Sequence, residues 1–229
     1  MVGHRVGHGT TLASVSRPPE VWTVIVGGGS GQRYGRPKQY EQLAGERVID
    51  RSRRIAEAVC DGVVVVVPEV DAERESGVAG GETRSASVRA GLDAVPGEAD
   101  IICVHDAARP LASERLYRSV IEAVRGGADG AIPGVGVADT IKVVDSSGRV
   151  TDTPDRSTLY AIQTPQAFRA SVLRAAHARG GEATDDAALV EAAGGTVVVV
   201  AGEANNRKIT HPDDLDWAER IVGRGPVSG

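Results

Sequence analysis

Behind a β-branched run at Val21 to Val26 the chain reads Gly27, Gly28, Gly29, Ser30, Gly31, Gln32, Arg33, Tyr34, Gly35, Arg36, Pro37, Lys38. Without Cβ atoms, the backbone at Gly27, Gly28, Gly29 and Gly31 can close on a phosphate chain. Arg33 and Lys38 follow at short spacing and supply the fixed cations that a triphosphate needs, above all while pyrophosphate is being expelled and charge builds on the bridging oxygen. The stretch lies at the C-terminal end of an expected strand, where open α/β sheets bind ligands. Three other phosphate or nucleophile loops do not fit. The third glycine of a dinucleotide fingerprint would fall on Tyr34 or Gln32, no Gly-Lys-Ser/Thr closes a P-loop, and Ser30 lacks the final glycine of a nucleophile elbow.

A second group is His105, Asp106, Ala107, Ala108, Arg109, Pro110. Asp106 and Arg109 leave the end of the expected Ile101–His105 strand, offering a carboxylate to hydroxyls and a guanidinium to phosphate, which suits a polyol phosphate. The alternative is a local Asp106–Arg109 ion pair shaping a turn. His105 is expected to be a structural hydrogen bonder at the strand end.

These residues need a scaffold that brings strand ends together, and short β-branched runs alternating with helical periodicity supply one: an α/β fold with a largely parallel twisted sheet. Strands are expected at Val21–Val26, Gly62–Val67, Ile101–His105, Gly130–Pro133, Tyr160–Thr164 and Thr196–Ala201. Helices are expected at Val48–Val59, Ser85–Ala94, Ser113–Arg125, Ala170–His177, Asp185–Ala193 and Pro212–Val222. Ser113 and Thr184 are the expected N-caps, and Pro212 suits a first helical position. Thr140–Val144 and Arg149–Thr153, joined through Asp145, Ser146, Ser147 and Gly148, read as a hairpin with no crossover helix. Projecting from a wound α/β body, such an arm has bare edges that a partner subunit could cover.

Composition narrows the function. The 229 residues are 41% hydrophobic and 25% charged, as in one soluble domain. Two Trp, four Tyr and one Phe leave few rings for stacking bases, and 31 acids against 26 bases argue against a nucleic-acid partner. The longest aliphatic runs are far short of the roughly 20 residues of a membrane span. Cys60 and Cys103, distant in sequence, are expected as buried packing, with no disulfide framework and no metal motif. Residues 1–20 read as a disordered tail without a secretory signal, which places the protein in the cytoplasm. Residues 21–222 form the domain, with the arm at about 136–157, and 223–229 form a flexible tail.

Taken in order, the segments resemble a known family. The loop from Gly29 to Lys38 resembles the nucleotide signature of nucleoside-triphosphate transferases with a Rossmann-like fold. Gly80 to Val88, His105 to Pro110, Asp139 to Lys142, Asp155–Arg156, Gln163 to Gln166 and Lys208 to Thr210 match further boxes of the 2-C-methyl-D-erythritol 4-phosphate cytidylyltransferases. The resemblance implies transfer of CMP from CTP to a polyol phosphate, with Mg²⁺ held mainly by the CTP phosphates and no all-protein metal site. It implies Arg33, Lys38 and Lys208 as catalytic cations, and Gly27, Gly28, Gly29, Gly31, Gly81, Glu82, Ser87 and Ala107 around the nucleotide. Asp106, Arg109, Thr164 and Lys208 would meet the acceptor, with Thr140 and Arg156 reaching it from the arm of a second subunit in a homodimer. The chain departs from the family at Val26, Gly27 and Gly28, where Pro-Ala-Ala is usual, and at Arg207, where an apolar residue is common and a charge is added beside Lys208. A ribitol 5-phosphate cytidylyltransferase and a non-catalytic nucleotide-binding dimer remain the alternatives.

Overall fold

The computed structural model describes residues 17–29 and 34–223. Gly31 and Arg33, and residues 1–16 and 224–229 of the expected tails 1–20 and 223–229, lie outside them. In chain order the elements are β1 (Val21–Val26), β2 (Gln42–Leu43), β3 (Glu46–Arg47), α1 (Val48–Glu57), β4 (Gly62–Val67), β5 (Val78–Ala79), α2 (Arg84–Ala94) and β6 (Ile101–Asp106). There follow α3 (Glu114–Arg125), β7 (Gly130–Gly136), β8 (Val143–Val144), β9 (Val150–Asp152), β10 (Tyr160–Ile162), β11 (Gln166–Arg169), α4 (Ala170–Ala178), α5 (Asp186–Ala192), β12 (Val197–Ala201) and α6 (Pro212–Gly223).

The main sheet runs β10-β7-β11-β6-β1-β4-β5, with β12 on β7. Strands β1, β4, β5, β6, β7 and β12 point one way; β10 and β11 run against them. The fold is thus Rossmann-like α/β with a mostly parallel sheet. Its central strands read as unbroken apolar runs because both faces are covered. Along β1, Val21 and Ile25 enter the layer beneath α1 and α3 with Ile49, Leu116 and Val120, while Val24 enters the layer beneath α2, α4 and α5 with Val88, Leu173 and Val190. Each fully buried Ile or Leu there contributes about 2 kcal/mol. Gly91 lets α2 lie close on the sheet: a Cβ there would press on Val24 and come within 2.9 Å of Val66 Cγ2.

Ser113 caps α3 as expected, its hydroxyl accepting from the Leu116 amide at 3.1 Å. The cap of α5 is Asp185 and not Thr184, because the Asp185 carboxylate accepts from the Ala188 amide at 3.1 Å. Helix α2 starts one residue earlier than its periodicity suggests, at Arg84 behind the Thr83 cap. The sequence pattern gives no strand at Gln166–Arg169. The structure inserts β11 there between β6 and β7, so the Tyr160–Thr164 run ends as a strand at Ile162 and the chain doubles back. The hairpin forms as β8 and β9, closed by the Asp145 carboxylate accepting from the Ser147 and Arg149 amides and by Gly148 at φ +80°. Its Val144 and Val150 are 55% and 52% exposed in the single chain. Cys60 and Cys103 are free thiols as expected, but the fold brings them together around Thr23, whose hydroxyl donates to Cys60 Sγ at 3.1 Å.

Candidate active site

The sheet opens a cleft where β1, β4 and β6 end. The Gly27 amide still donates to Val66 O at 2.7 Å and the Ala107 amide to Val26 O at 3.0 Å, so Gly27 and Ala107 extend the ladder. Beyond them the strands part around a cavity of about 680 Å³. Gly27, Gly28 and Gly29 form one wall, and Gly81, Glu82 and Ser87 the facing one. A Cβ on Gly28 would sit 3.3 Å from Ser87 Oγ, so the glycine at the departure from Pro-Ala-Ala lets the two walls approach without a tight contact. Asp106 and Ala107 form the floor. Lys38 and Lys208 reach this one cavity from chain positions on either side of the sheet's core.

Lys38 is placed by a turn through Gly35, at φ +87°, into a single 3-10 turn Lys38–Tyr40. Lys208 is placed by a buried polar knot. Gln163 Nε2 donates to Glu203 O at 2.8 Å, Asn206 Nδ2 donates to Thr164 O at 2.9 Å, and the Ile209 amide donates to Ala108 O at 2.8 Å. Tyr34, Leu43 and Ile209 then pack with Ala218 of α6, joining the end of the glycine loop to the Lys208 segment. Arg207 turns away from the cavity. Its guanidinium lies 4.6 Å from the Trp217 ring centre and 3.5 Å from Asp214, so it adds no charge beside Lys208.

The centre of charge is Asp106. Lys208 Nζ donates to its Oδ2 at 2.7 Å, Arg84 Nε lies 3.6 Å from Oδ1, and Arg109 Nε lies 3.8 Å from Oδ2. Burial by itself would raise the Asp106 carboxyl, but Lys208, Arg84 and Arg109 hold it well below the usual carboxylate range. Both oxygens of Asp106 are thus engaged by cations. Among the described residues no group of three or more His, Cys, Asp or Glu side chains is placed to hold a metal ion.

Several expected acceptor residues lie elsewhere. Arg109 does not line the cavity: it is buried behind Asp106, donating to Asn206 O at 2.8 Å and Ile162 O at 3.3 Å. The ion-pair alternative for Asp106 and Arg109 is therefore partly what the fold uses, though at 3.8 Å and with the fork spent on carbonyls. Thr164 is buried, its hydroxyl accepting from the Asp106 amide at 3.0 Å and contacting His105 Nδ1 at 3.0 Å. Thr140 and Arg156 stand exposed on the arm, outside their own chain's cavity. Residues with no role assigned from the sequence also enter the site: Arg84, Thr83, Tyr34 and Gln39 line it, and Gln163 and Asn206 brace it. Arg84 carries a readable signal. A cation in the first turn of a helix opposes the macrodipole, so an arginine directly behind a Thr cap needs an anion nearby.

His105 is fully buried, and burial brings its pKa down from 6.5 to about 4. The unfolded imidazole takes up a proton below about pH 6.5 while the folded one stays neutral. Stability from this group is therefore full above pH 6.5 and lost as pH falls toward 4, by about 3 kcal/mol. Asp106, depressed from 3.8, acts only below that window. Denaturant unfolding between pH 7 and 4.5 should show a shallower loss for His105→Asn than for the parent. An equal slope would remove His105 as the source.

A family-wide sequence profile for IspD, 2-C-methyl-D-erythritol 4-phosphate cytidylyltransferase, matches residues 21–224. The enzyme of that name from Rhodococcus jostii is 44% identical over 218 residues, covering 90% of this chain and 96% of its own. The bifunctional enzyme IspD/IspF of Clavibacter michiganensis is 40% identical across 92% of this chain, which spans only 56% of that protein's length. The crystal structure of 2-C-methyl-D-erythritol 4-phosphate cytidylyltransferase from Thermus thermophilus superposes with a TM-score of 0.76 at 35% identity, covering 89% of this chain and 99% of the other. With a glycine-walled cleft, two lysines converging on it and agreement along nearly the whole domain, the chain belongs to the 2-C-methyl-D-erythritol 4-phosphate cytidylyltransferase (IspD) family.

Proposed function

We propose that the chain transfers CMP from CTP to 2-C-methyl-D-erythritol 4-phosphate, releasing pyrophosphate and forming 4-diphosphocytidyl-2-C-methyl-D-erythritol. The observation that carries this reading is the convergence of Lys38 and Lys208 on one cavity walled by Gly27 to Gly29 and floored by Asp106. The acceptor's phosphate oxygen attacks the α-phosphorus in line as the bond to pyrophosphate breaks. The obstacle is repulsion between two anions, and positive side chains fixed in a partly dry cleft lower it as charge builds on the leaving oxygens. Lys38 faces the triphosphate, and Lys208, oriented by Asp106, faces the incoming phosphate; Arg33 is proposed to assist Lys38 on the strength of the sequence alone. Gly81, Glu82, Ser87 and Ala107 hold the nucleoside.

Magnesium fits this site as an ion carried by its substrate. The Asp106 oxygens are taken up by cations and Glu82 is the other carboxylate on the wall, so the protein offers few hard ligands and the phosphates supply most of them. When bound, the ion neutralises charge on the triphosphate.

The acceptor's phosphate is gripped from a second subunit by Thr140 and Arg156. Ile141, Val143, Val144 and Val150 give the arm an apolar surface that a homodimer would cover. Among the described residues no helix is long and apolar enough to cross a membrane, and we place the reaction in the cytoplasm.

Pyrophosphate release should require CTP, methylerythritol phosphate and magnesium together, and excess chelator should abolish it. Undiminished release after chelation would remove the metal. Faster release with ribitol 5-phosphate would reassign the acceptor.

A further inference from the structure

A line of buried charge runs from the cavity floor to the far end of α4. Arg84, the first residue of α2, lies between two carboxylates: Asp106 at 3.6 Å and Asp186, the first residue of α5, at 2.8 Å. Asp186 Oδ1 in turn meets His177 Nε2, in the last turn of α4, at 3.0 Å. A carboxylate only accepts, so Nε2 carries the proton and donates. The side chains of Asp186 and His177 are 1% and 3% exposed. Burial on this scale would be costly for an unpaired carboxylate, and the structure resolves it by giving Asp186 one guanidinium and one imidazole N–H donor.

We propose that Asp186, locked by His177, is a positioning residue for the transfer site: it draws Arg84 back so that Asp106 stays free to orient Lys208. The inference rests on the reading of Lys208 as a catalytic cation. Arg84 and Lys208 compete for one carboxylate, on opposite oxygens. With Asp186 present, Arg84 takes its short contact there and keeps only a long one to Asp106, while Lys208 keeps 2.7 Å. Neutralising Asp186 leaves Arg84, confined at the helix start, with Asp106 at 3.6 Å as its nearest carboxylate and Asp185 as a weaker, purely electrostatic one. The guanidinium then closes on Asp106, leaves the cavity wall and displaces Lys208. His177 fixes which way the Asp186 carboxylate points. The place of Asp186 in the first turn of α5 suits the local helix dipole.

The test uses the full chain with Asp186→Asn, His177→Leu and His177→Gln, the last keeping a side-chain donor. Asp186→Asn and His177→Leu should lower kcat by about tenfold to a hundredfold, the scale of a small misplacement of a reacting group, and His177→Gln should recover most of the loss. In an Arg84→Met background, Asp186→Asn should cost no further kcat, because the competitor is gone. CTP binding by calorimetry should weaken severalfold in Asp186→Asn. That readout needs no turnover, so it survives an error in the acceptor, and a parent without pyrophosphate release would count against the proposed reaction and not against this arrangement. Unchanged CTP binding and kcat in a folded Asp186→Asn, or equal loss with and without Arg84, would overturn the proposal; so would a lowered melting temperature with normal kinetics.

Discussion

Lys38→Ala lowers turnover by about two to three orders of magnitude while the fold and the dimer persist. The magnitude follows from what the side chain faces. Removing one fixed donor from a site where negative charge develops commonly costs about 3 to 4 kcal/mol in the transition state, far more than a surface ion pair is worth. The fold is indifferent because Lys38 is only half-buried at the lip of the cleft, and its backbone turn is set by Gly35 and Pro37. CTP should still bind, since Gly27 to Gly29 and the facing wall remain. The loss should therefore appear mainly in kcat, as expected for an interaction strengthened as pyrophosphate leaves. Arg36→Ala is the internal control: that cation sits in the same loop but is spent on Glu41 at 2.6 Å and is well exposed, so its removal should leave turnover within severalfold of the parent. Single-turnover pyrophosphate release on both variants checks the contrast. A Lys38→Ala enzyme within severalfold of the parent would end the assigned role.

The contrast also marks what the sequence makes legible. The glycine loop and Lys38 are readable because their chemistry is local: a strand, a run of residues without Cβ, and cations at short spacing compose one unit. The α/β alternation is readable for the same reason, as are the Asp145 turn and the Ser113 cap. Contacts between distant segments are not. Lys208 and Asp106 are 102 residues apart, and a lone lysine behind Asn206 and Arg207 has no local mark of function apart from a family resemblance. Gln163 and Asn206 carry no local mark of their bracing role until the fold buries them, Gln163 against the Glu203 backbone and Asn206 against the Thr164 carbonyl. Strand β11 is four residues long and is a strand only because β6 and β7 flank it, so tertiary pairing decides what local propensity leaves open. Arg109 shows the converse. Its type and place suit phosphate binding, yet the carbonyls of Asn206 and Ile162 take its donors first.

The arm yields the largest qualitative effect, because a site shared as proposed would let two impaired proteins work together. Arg156→Ala should raise the acceptor KM by about tenfold to a hundredfold, the value of a charge-assisted grip on phosphate, with CTP binding little changed. Now let one subunit carry Lys38→Ala and the other Arg156→Ala, with distinct tags so that the mixed dimer is isolated. If each site combines one chain's cavity with the other chain's arm, one site of the pair joins an intact cavity to an intact arm, and its neighbour collects both defects. The mixed dimer should then work at about half the parent's rate, from two variants that are each impaired alone. If each chain used its own arm, both sites would keep one defect, and at an acceptor concentration near the parent's KM no activity would return. The exposed position of Arg156, outside its own cavity and on an arm whose Val144 and Val150 stand bare in the single chain, favours the first outcome. Recovery would establish the crossed site; continued inactivity of a verified mixed dimer would confine the acceptor grip, with Thr140 and Arg156, to a single subunit.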